Sequence, residues 1–180
     1  IESLCCVTAQ HREMLDAVLE IFRIRPEFDL DIMEPRQTLS TITSKCLLGM
    51  DRVLEEARPD LVLVHGDTTT SFAAALACFY LQILVGHVEA GLRTHDIYSP
   101  WPEEFNRQAV DIVSEYYFAP TEASKQNLLD EGKPESKIWV TGNTGIDALR
   151  TTVRRGYSHP ELDWAEGSRP ILITAHRREN

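Results

Sequence analysis

The 180-residue sequence has few basic residues and no long apolar run. Its 18 Lys and Arg residues are outnumbered by 28 Asp and Glu residues, which gives a formal net charge of −10. Duplex nucleic acid and anionic membrane surfaces require clustered basic side chains, so neither is an expected partner. Apolar runs such as 72–80 end well before the ~20 residues that a membrane span requires. We therefore expect a protein that binds neither nucleic acid nor membrane.

Cysteine is also scarce. Cys5, Cys6, Cys46 and Cys78 lack the spacing of zinc ligands. Two adjacent cysteines on a strand point to opposite faces, so buried reduced thiols are the simplest interpretation. The first eight residues lack the basic start and apolar core of a signal peptide. Reduced thiols and the missing signal together predict a cytoplasmic location.

Apolar residues make up 43% of the chain, which is enough to fill a core. Short runs rich in Val, Ile and Leu alternate with longer stretches in which apolar residues recur at helical spacing. This alternation is typical of an α/β protein with a Rossmann-like, doubly wound parallel sheet. The continuous apolar run 61–64 predicts a central strand that is covered on both faces.

The pattern also predicts where each element and each domain lies. The predicted strands are 4–7, 28–32, 61–64, 83–88, 116–119, 137–140 and 171–174, and the predicted helices are 11–22, 38–57, 68–80, 102–113, 121–129 and 145–153. We expect a first domain over residues 1–153. Residues 154–169 have the composition of a linker, and 170–180 begin a second domain.

Acidic side chains follow two of the predicted strands. Ligands bind doubly wound sheets beyond the carboxyl ends of the strands, so these positions are informative. Asp67 follows the strand 61–64, and Glu89 follows the apolar part of the strand 83–88. The alternatives are that Asp67 caps the next helix and that Glu89 forms an ion pair with Arg93. If the strands are neighbours, the acids share one crevice, where different pKa values let one site supply both an acid and a base.

A third acid and a basic segment complete the candidate groups. Glu103 opens a predicted helix after a proline-rich approach, where an acid can also simply complement the positive helix end. His176, Arg177 and Arg178 follow the last predicted strand. Their position at a strand end favours an anion-binding role.

A metal site is the minority interpretation of two histidines near these acids. His65 and Asp67 are spaced to share a strand face, as are His87 and Glu89. Core histidines are more often hydrogen-bonded than metal-bound, so we expect no metal.

Five motifs in order resemble the non-hydrolysing UDP-N-acetylglucosamine 2-epimerases. The resemblance covers nearly the whole chain, and ordered motifs of this length are far more specific than a lone glycine-rich pattern. Stretches 8–12 and 151–160 are similar to those of Bacillus-like bacterial members. The motifs are Val-His-Gly-Asp-Thr-Thr-Thr (64–70), Gly-His-Val-Glu-Ala-Gly-Leu-Arg-Thr (86–94), Ser-Pro-Trp-Pro-Glu-Glu-Phe-Asn-Arg (99–107), Gly-Asn-Thr (142–144) and Thr-Ala-His-Arg-Arg-Glu-Asn (174–180).

The resemblance implies a two-domain fold of the glycosyltransferase B type, of which this chain is the N-terminal lobe. Family members begin with a strand and a Gly-Thr-Arg-Pro-Glu loop, which we expect before Ile1. Their second Rossmann-like domain would continue after Asn180. The members are typically homodimers that bind UDP-N-acetylglucosamine in the cleft between the domains.

The implied activity is the interconversion of UDP-N-acetylglucosamine and UDP-N-acetylmannosamine by elimination and re-addition of UDP, for cell-surface polysaccharide synthesis. No redox cofactor or metal is implied. By motif position, Asp67, Glu89 and Glu103 are the candidate acid/base groups. His176 would lie at the leaving diphosphate, and Arg177 would contact the substrate.

The resemblance also implies regulation by a second UDP-N-acetylglucosamine. The positions that match the activator site are Gln10, His11, Arg36 and Gln37, and Glu13 stands where the family has Gln. Three alternatives remain open. The whole protein could be a hydrolysing relative that releases N-acetylmannosamine, this chain alone could be an inactive sugar-nucleotide-binding domain, or the site could be that of a metallohydrolase.

Overall fold

The computed structural model describes residues 1–9, 12–34, 36–171 and 173. The chain divides into two compact units, residues 1–144 and residues 145–180. The predicted domain limits at 153 and 169 remain predictions.

The described strands of the first unit are all parallel. The first two form one pair, and the other four form a sheet in sequential order. This arrangement has the α/β architecture that the alternating pattern predicts. The strands are β1 (Cys6–Val7), β2 (Phe28–Asp29), β3 (Leu61–His65), β4 (Leu84–Val88), β5 (Tyr116–Ala119) and β6 (Ile138–Val140).

Threonine hydroxyls start three of the helices. Thr38, Thr68 and Thr121 each accept a hydrogen bond from the backbone N–H three residues ahead, which satisfies an otherwise unpaired donor of the first turn. These helices begin within one residue of the predicted positions. The helices of the first unit are α1 (Arg12–Phe22), α2 (Leu39–Ala57), α3 (Thr69–Tyr80), α4 (Glu103–Val113) and α5 (Glu122–Asp130).

The main core lies where α2, α3 and α4 pack on one face of the sheet. The small side chains of α3, including Ala73 and Ala77, are fully buried and let α2 approach closely. Cys46 and Cys78 are free thiols in this core, and burial raises the pKa of each to about 12. Both therefore remain protonated at neutral pH and act as small apolar side chains.

The predicted central position of β3 differs from the structure. Within the described residues, β3 is an edge strand of the four-stranded sheet. Val64 faces the core and is 6% exposed, whereas Leu63 on the opposite face is 59% exposed. A groove of about 690 Å³ with Cys6 on one side and β3 on the other is lined by Met50 and Leu63. Both faces of β3 carry apolar side chains, as the run 61–64 predicts. In the described structure only the face with Val64 is packed against the core.

The second unit contains little regular structure among its described residues. Helix α6 (Thr144–Thr152) starts at the last residue of the first unit, and α7 (Pro160–Trp164) lies inside the predicted linker. Neither helix has a buried residue. Ile171 and Ile173 are outside any strand, and the rest of the predicted strand 171–174 lies outside the described residues.

No helix in the described ranges is both long enough and apolar enough to cross a membrane.

Candidate functional site

Asp67 and Glu89 lie side by side at the carboxyl edge of the sheet. Strands β3 and β4 are hydrogen-bonded neighbours, with His65 opposite Val88, so the two residues that follow them occupy the same edge. A Cβ atom placed on Gly66 would lie 3.2 Å from Oε2 of Glu89. The Glu89 carboxylate therefore lies beside the residue that precedes Asp67, and the two strand-end acids lie at the same edge of the sheet.

The turn that carries Asp67 is anchored through three consecutive carbonyl groups. The hydroxyl of Ser71 donates to the carbonyl of His65 at 2.6 Å, and Nδ2 of Asn106 donates to the carbonyl of Asp67 at 2.9 Å. Between them, the carbonyl of Gly66 accepts from Nε2 of His87 at 2.9 Å. The donors come from α3, α4 and β4, so the turn is held by three separate elements.

Arg107 forms an ion pair with the carboxylate of Asp67. The same guanidinium bonds the fully buried Glu104 at 3.0 Å. Asp67 does not cap α3, because the Thr68 hydroxyl is the capping group. The Asp67 side chain remains 27% exposed while it is fixed by a cation, so it is available to a ligand as a carboxylate of defined position.

Glu89 has a backbone conformation that is unusual for its residue type. Its φ angle is +71°, a left-handed value that costs a residue other than glycine about 1–3 kcal/mol. Its N–H donates to the carbonyl of Phe118 at 3.0 Å, and its carboxylate accepts from Nδ2 of Asn143 at 3.3 Å. Strain of this kind clusters at functional sites, which supports a functional role for Glu89.

The ion pair between Glu89 and Arg93, an alternative left open by the sequence, is absent from the described contacts. Arg93 is buried and bonds the carboxylates of Asp111 and Glu131 instead, at 2.8 Å and 2.6 Å. A strand-end acid four residues before an arginine suggested the pair. The chain turns away at Gly91, whose φ is +81°, and this directs Arg93 into the protein.

Glu103 is the first residue of α4 and is half-buried. It precedes Arg107 by four residues, so the two side chains lie on the same face of α4. This is the face from which Arg107 contacts Asp67. Two cis peptide bonds, Ser99–Pro100 and Trp101–Pro102, lead into this helix. Within the described part of the chain, no hydrogen bond or ion pair engages the Glu103 carboxylate, which leaves it available to a ligand.

The motif and pattern arguments assigned no role to Asn106 and Arg107. Both hold Asp67 in the structure, one at its carbonyl and one at its carboxylate. Their spacing from Glu103 could have indicated this role. Residues three and four positions apart share one helix face, so Asn106 and Arg107 lie on the same side of α4 as Glu103.

The histidines of the metal hypothesis do not come together. His87 lies opposite Val64 in the β3–β4 register, so His65 points to the other face of the sheet. Nε2 of His65 instead contacts the hydroxyl of Thr144 at 2.9 Å. Among the residues that the structure describes, no three His, Cys, Asp or Glu side chains are grouped to bind a metal ion. The metallohydrolase alternative therefore has no geometric support.

Several predicted residues lie outside the described ranges or in other parts of the first unit. His176, Arg177, Gln10 and His11 are outside the described residues. Arg36 is exposed in a turn with a φ of +64°. Gln37 donates from Nε2 to the carbonyl of Ile32 at 2.6 Å, after β2. The activator site remains a prediction.

Comparisons with known proteins identify the relatives of this chain. A family model described as UDP-N-acetylglucosamine 2-epimerase matches residues 1–180. The UDP-N-acetylglucosamine 2-epimerase of Bacillus subtilis (strain 168) is 60% identical over 180 residues, which are 100% of this chain and 47% of that protein. The chain thus spans about half the length of the curated relatives that it matches.

Solved structures give the same result. The UDP-GlcNAc 2-epimerase from Neisseria meningitidis, bound to UDP-GlcNAc, has a TM-score of 0.82 and 58% identity, with 84% of this chain and 41% of that chain covered. The Staphylococcus aureus MnaA–UDP structure has a TM-score of 0.92 and 54% identity, with 97% and 46% covered.

The similar structures have the two-domain glycosyltransferase B type fold, and this chain corresponds to its N-terminal half. The fold predicted from the motifs is therefore confirmed. Because the family match extends over all 180 residues, the chain belongs to the UDP-N-acetylglucosamine 2-epimerase family.

Proposed function

We propose that the natural polypeptide containing this chain epimerises carbon 2 of UDP-N-acetylglucosamine to give UDP-N-acetylmannosamine. The observation that carries the proposal is the pair of strand-end acids, Asp67 and Glu89, at one edge of the sheet, with Asp67 held by α4. A relative of 58% identity was solved with UDP-GlcNAc bound, which supports the same substrate class.

The reaction needs a base at a weakly acidic C–H bond. Removal of the carbon 2 proton while the bond to UDP breaks leaves an unsaturated sugar, and UDP then adds back as carbon 2 is reprotonated on the other face. Inversion requires proton-transfer groups on both faces of this intermediate. Asp67, Glu89 and Glu103 are the groups that we propose for these proton transfers.

The hydrogen-bond partners suggest a division of roles. Asp67 is fixed in position by the Arg107 guanidinium, and we propose it as the group that accepts the carbon 2 proton. Glu103 and Glu89 are candidates to deliver a proton to the opposite face, because neither is paired with a cation in the described structure. His176 and Arg177 are proposed to neutralise the departing diphosphate, in accordance with their motif position.

The wider context belongs to the same proposal. We infer a cytoplasmic homodimer without metal or redox cofactor, whose product enters cell-surface polysaccharide synthesis. Gln10, His11, Arg36 and Gln37 would bind a second substrate molecule as an activator. The motif resemblance supports these statements. The four free thiols support the cytoplasmic location in addition.

Exchange in deuterated water tests the reaction. The natural polypeptide is incubated with UDP-N-acetylglucosamine in D₂O, and carbon 2 of the recovered nucleotide sugar is examined by proton NMR. We expect deuterium at carbon 2 in both epimers. Recovered sugar without deuterium would refute the proposal, and accumulation of free N-acetylmannosamine would identify a hydrolysing enzyme instead.

A matched pair of variants tests the acids. Glu103 and Glu122 are both the first residue of a helix, so each complements the positive helix end equally. We expect E103Q to lower kcat by about 10²-fold or more, the usual contribution of a general acid or base. E122Q should retain wild-type turnover. Equal kcat of the two variants would show that Glu103 is not a catalytic group.

A further inference from the structure

His87 lies at the centre of a buried charge cluster next to the candidate site. The residue is fully buried in β4. Its Nδ1 is 2.6 Å from Oδ1 of Asp111, and its Nε2 is 2.9 Å from the carbonyl oxygen of Gly66. A carbonyl oxygen can only accept a hydrogen bond, so Nε2 must carry a proton and donate it.

The partner at Nδ1 is an ionised carboxylate. Asp111 also accepts from Nη2 of Arg93 at 2.8 Å and from the N–H of Gly91 at 3.3 Å. Burial raises the pKa of Asp111, but the permanent positive charge of Arg93 and its hydrogen bond to Oδ2 act in the opposite direction, and the pKa is lowered overall. A carboxylate has no proton to offer, so Nδ1 must donate as well.

The separation of 2.6 Å is at the short limit of charge-assisted N–H···O hydrogen bonds, which are about 2.7–2.9 Å long and shorter than neutral ones. A neutral ring with its proton on Nε2 would direct the lone pair of Nδ1 at a carboxylate oxygen, which is repulsive. From this geometry we propose that His87 is an imidazolium, protonated on both ring nitrogens, that positions the Gly66–Asp67 turn.

The surrounding charges allow a buried cation. His87 and Arg93 supply two positive charges, and Asp111 and Glu131 supply two negative charges, so these four residues balance. Nζ of Lys133 also approaches, at 2.6 Å from the backbone carbonyl of Asp111. A buried charge is tolerated when it is both paired and hydrogen-bonded, as it is here.

The position of Gly66 connects this cluster to the site. Gly66 has a φ of +68°, and its N–H donates to the carbonyl of Val88 at 2.9 Å while its carbonyl accepts from His87. Both backbone groups of the residue before Asp67 are thus fixed by β4. The protonation state stands on its own geometry, and the consequence for turnover rests on the proposed function.

Nitrogen NMR of the natural polypeptide tests the protonation state without reference to activity. The protein is labelled with ¹⁵N-histidine, and two-bond ¹H–¹⁵N correlations are recorded at neutral pH. The His87 signals are assigned by their loss in H87Q. We expect both ring nitrogens of His87 to have the shifts of protonated nitrogen. A His87 nitrogen with the shift of an unprotonated imidazole nitrogen would overturn the proposal.

Two substitutions separate positioning from stability. The amide nitrogen of glutamine reaches about as far as Nε2 of histidine and can keep the bond to Gly66, whereas that of asparagine reaches only as far as Nδ1 and keeps the bond to Asp111. We expect H87N to lower kcat about 10- to 100-fold at nearly constant KM, because loss of the bond to Gly66 would displace the Asp67 turn by about 1 Å. H87Q keeps that bond, so its kcat should fall less.

Tyr117 provides the matched control. It is 3% exposed, and its hydroxyl donates to the backbone carbonyls of Asp111 and Ser114 in the same region without contact to Gly66. Y117F should therefore lower stability and leave kcat unchanged. Equal kcat in H87N and H87Q, or an equal loss in Y117F, would refute the positioning role. If neither His87 variant folds, the His87 ring signals of the wild type are assigned through sequential backbone correlations instead, and the spectrum still decides the charge. A wild type without epimerase activity but with a doubly protonated His87 would contradict the proposed function alone.

Discussion

Replacement of Arg107 by methionine should lower the free energy of unfolding, because the buried Glu104 carboxylate loses its positively charged partner. Arg107 bonds Glu104, whose side chain is 0% exposed, and also pairs with Asp67. Methionine fills a similar volume without a charge, so the change removes the cation and little packing. Among the described residues, the buried Glu104 carboxylate would then keep one side-chain hydrogen bond, from Nε2 of Gln108 at 2.8 Å.

The magnitude follows from this burial. Removal of one partner from a buried pair costs about 3–5 kcal/mol, because the remaining charge is uncompensated. Two features favour the lower end. Glu104 keeps the Gln108 amide, and Nε of Arg107 has no partner among the described residues, which already reduces the contribution of the guanidinium. We therefore expect R107M to lower the free energy of unfolding by about 3 kcal/mol.

Urea denaturation followed by circular dichroism measures this change. The matched control is K137M, which breaks a pair with Glu115 whose two side chains are 36% and 37% exposed and should cost at most about 1 kcal/mol. The double variant E104Q/R107M should recover at least half of the loss, since no buried carboxylate remains. A cost of R107M equal to that of K137M, or no recovery in the double variant, would refute the reasoning.

Three further predictions concern stability and association. A Cβ on Gly91 would lie 2.2 Å from the carbonyl oxygen of Ser124, so G91A should cost more than about 3 kcal/mol, whereas G132A, at a similar φ of +80° with open space, should cost about 1 kcal/mol; thermal unfolding compares them. Because the pKa of Asp111 is lowered in the folded state, its contribution to stability is complete above the unfolded-state value of about 3.9 and is lost as the pH falls through the folded-state value. Urea midpoints measured from pH 7 to pH 3 should therefore fall less steeply for D111N, and an unchanged slope would contradict this expectation. Leu63 is 59% exposed on an edge strand, so L63K should reduce self-association of the 180-residue chain in sedimentation experiments, and equal association would argue against this edge as the contact.

The helix starts were predictable because they depend on neighbouring residues in the chain. Thr68 and Thr121 each precede a helix and cap it with their own hydroxyl. Local chemistry of this kind is complete within four residues and can be read from sequence. The strand-end position of Asp67 and Glu89 was predictable for a similar reason, because in a parallel sheet neighbouring strands end on the same side.

The partners of those acids were not predictable from local pattern. Arg93 was the near candidate for Glu89, but it bonds Asp111 and Glu131, which lie 18 and 38 positions away in the chain. Which carboxylate a buried arginine meets depends on how α4 and α5 pack against the sheet. Hydrophobic periodicity fixes the helices but not the direction of a long polar side chain between them.

The anchored carbonyls of residues 65, 66 and 67 also bear on how a ligand would be bound. Because Ser71, His87 and Asn106 already hold this turn, its conformational entropy is lost during folding and not when a ligand arrives. Affinity contributed by Asp67 is therefore not reduced by the cost of ordering a loop. The sheet edge at Asp67 is thus ordered before binding, so any ordering that accompanies binding would fall on other groups.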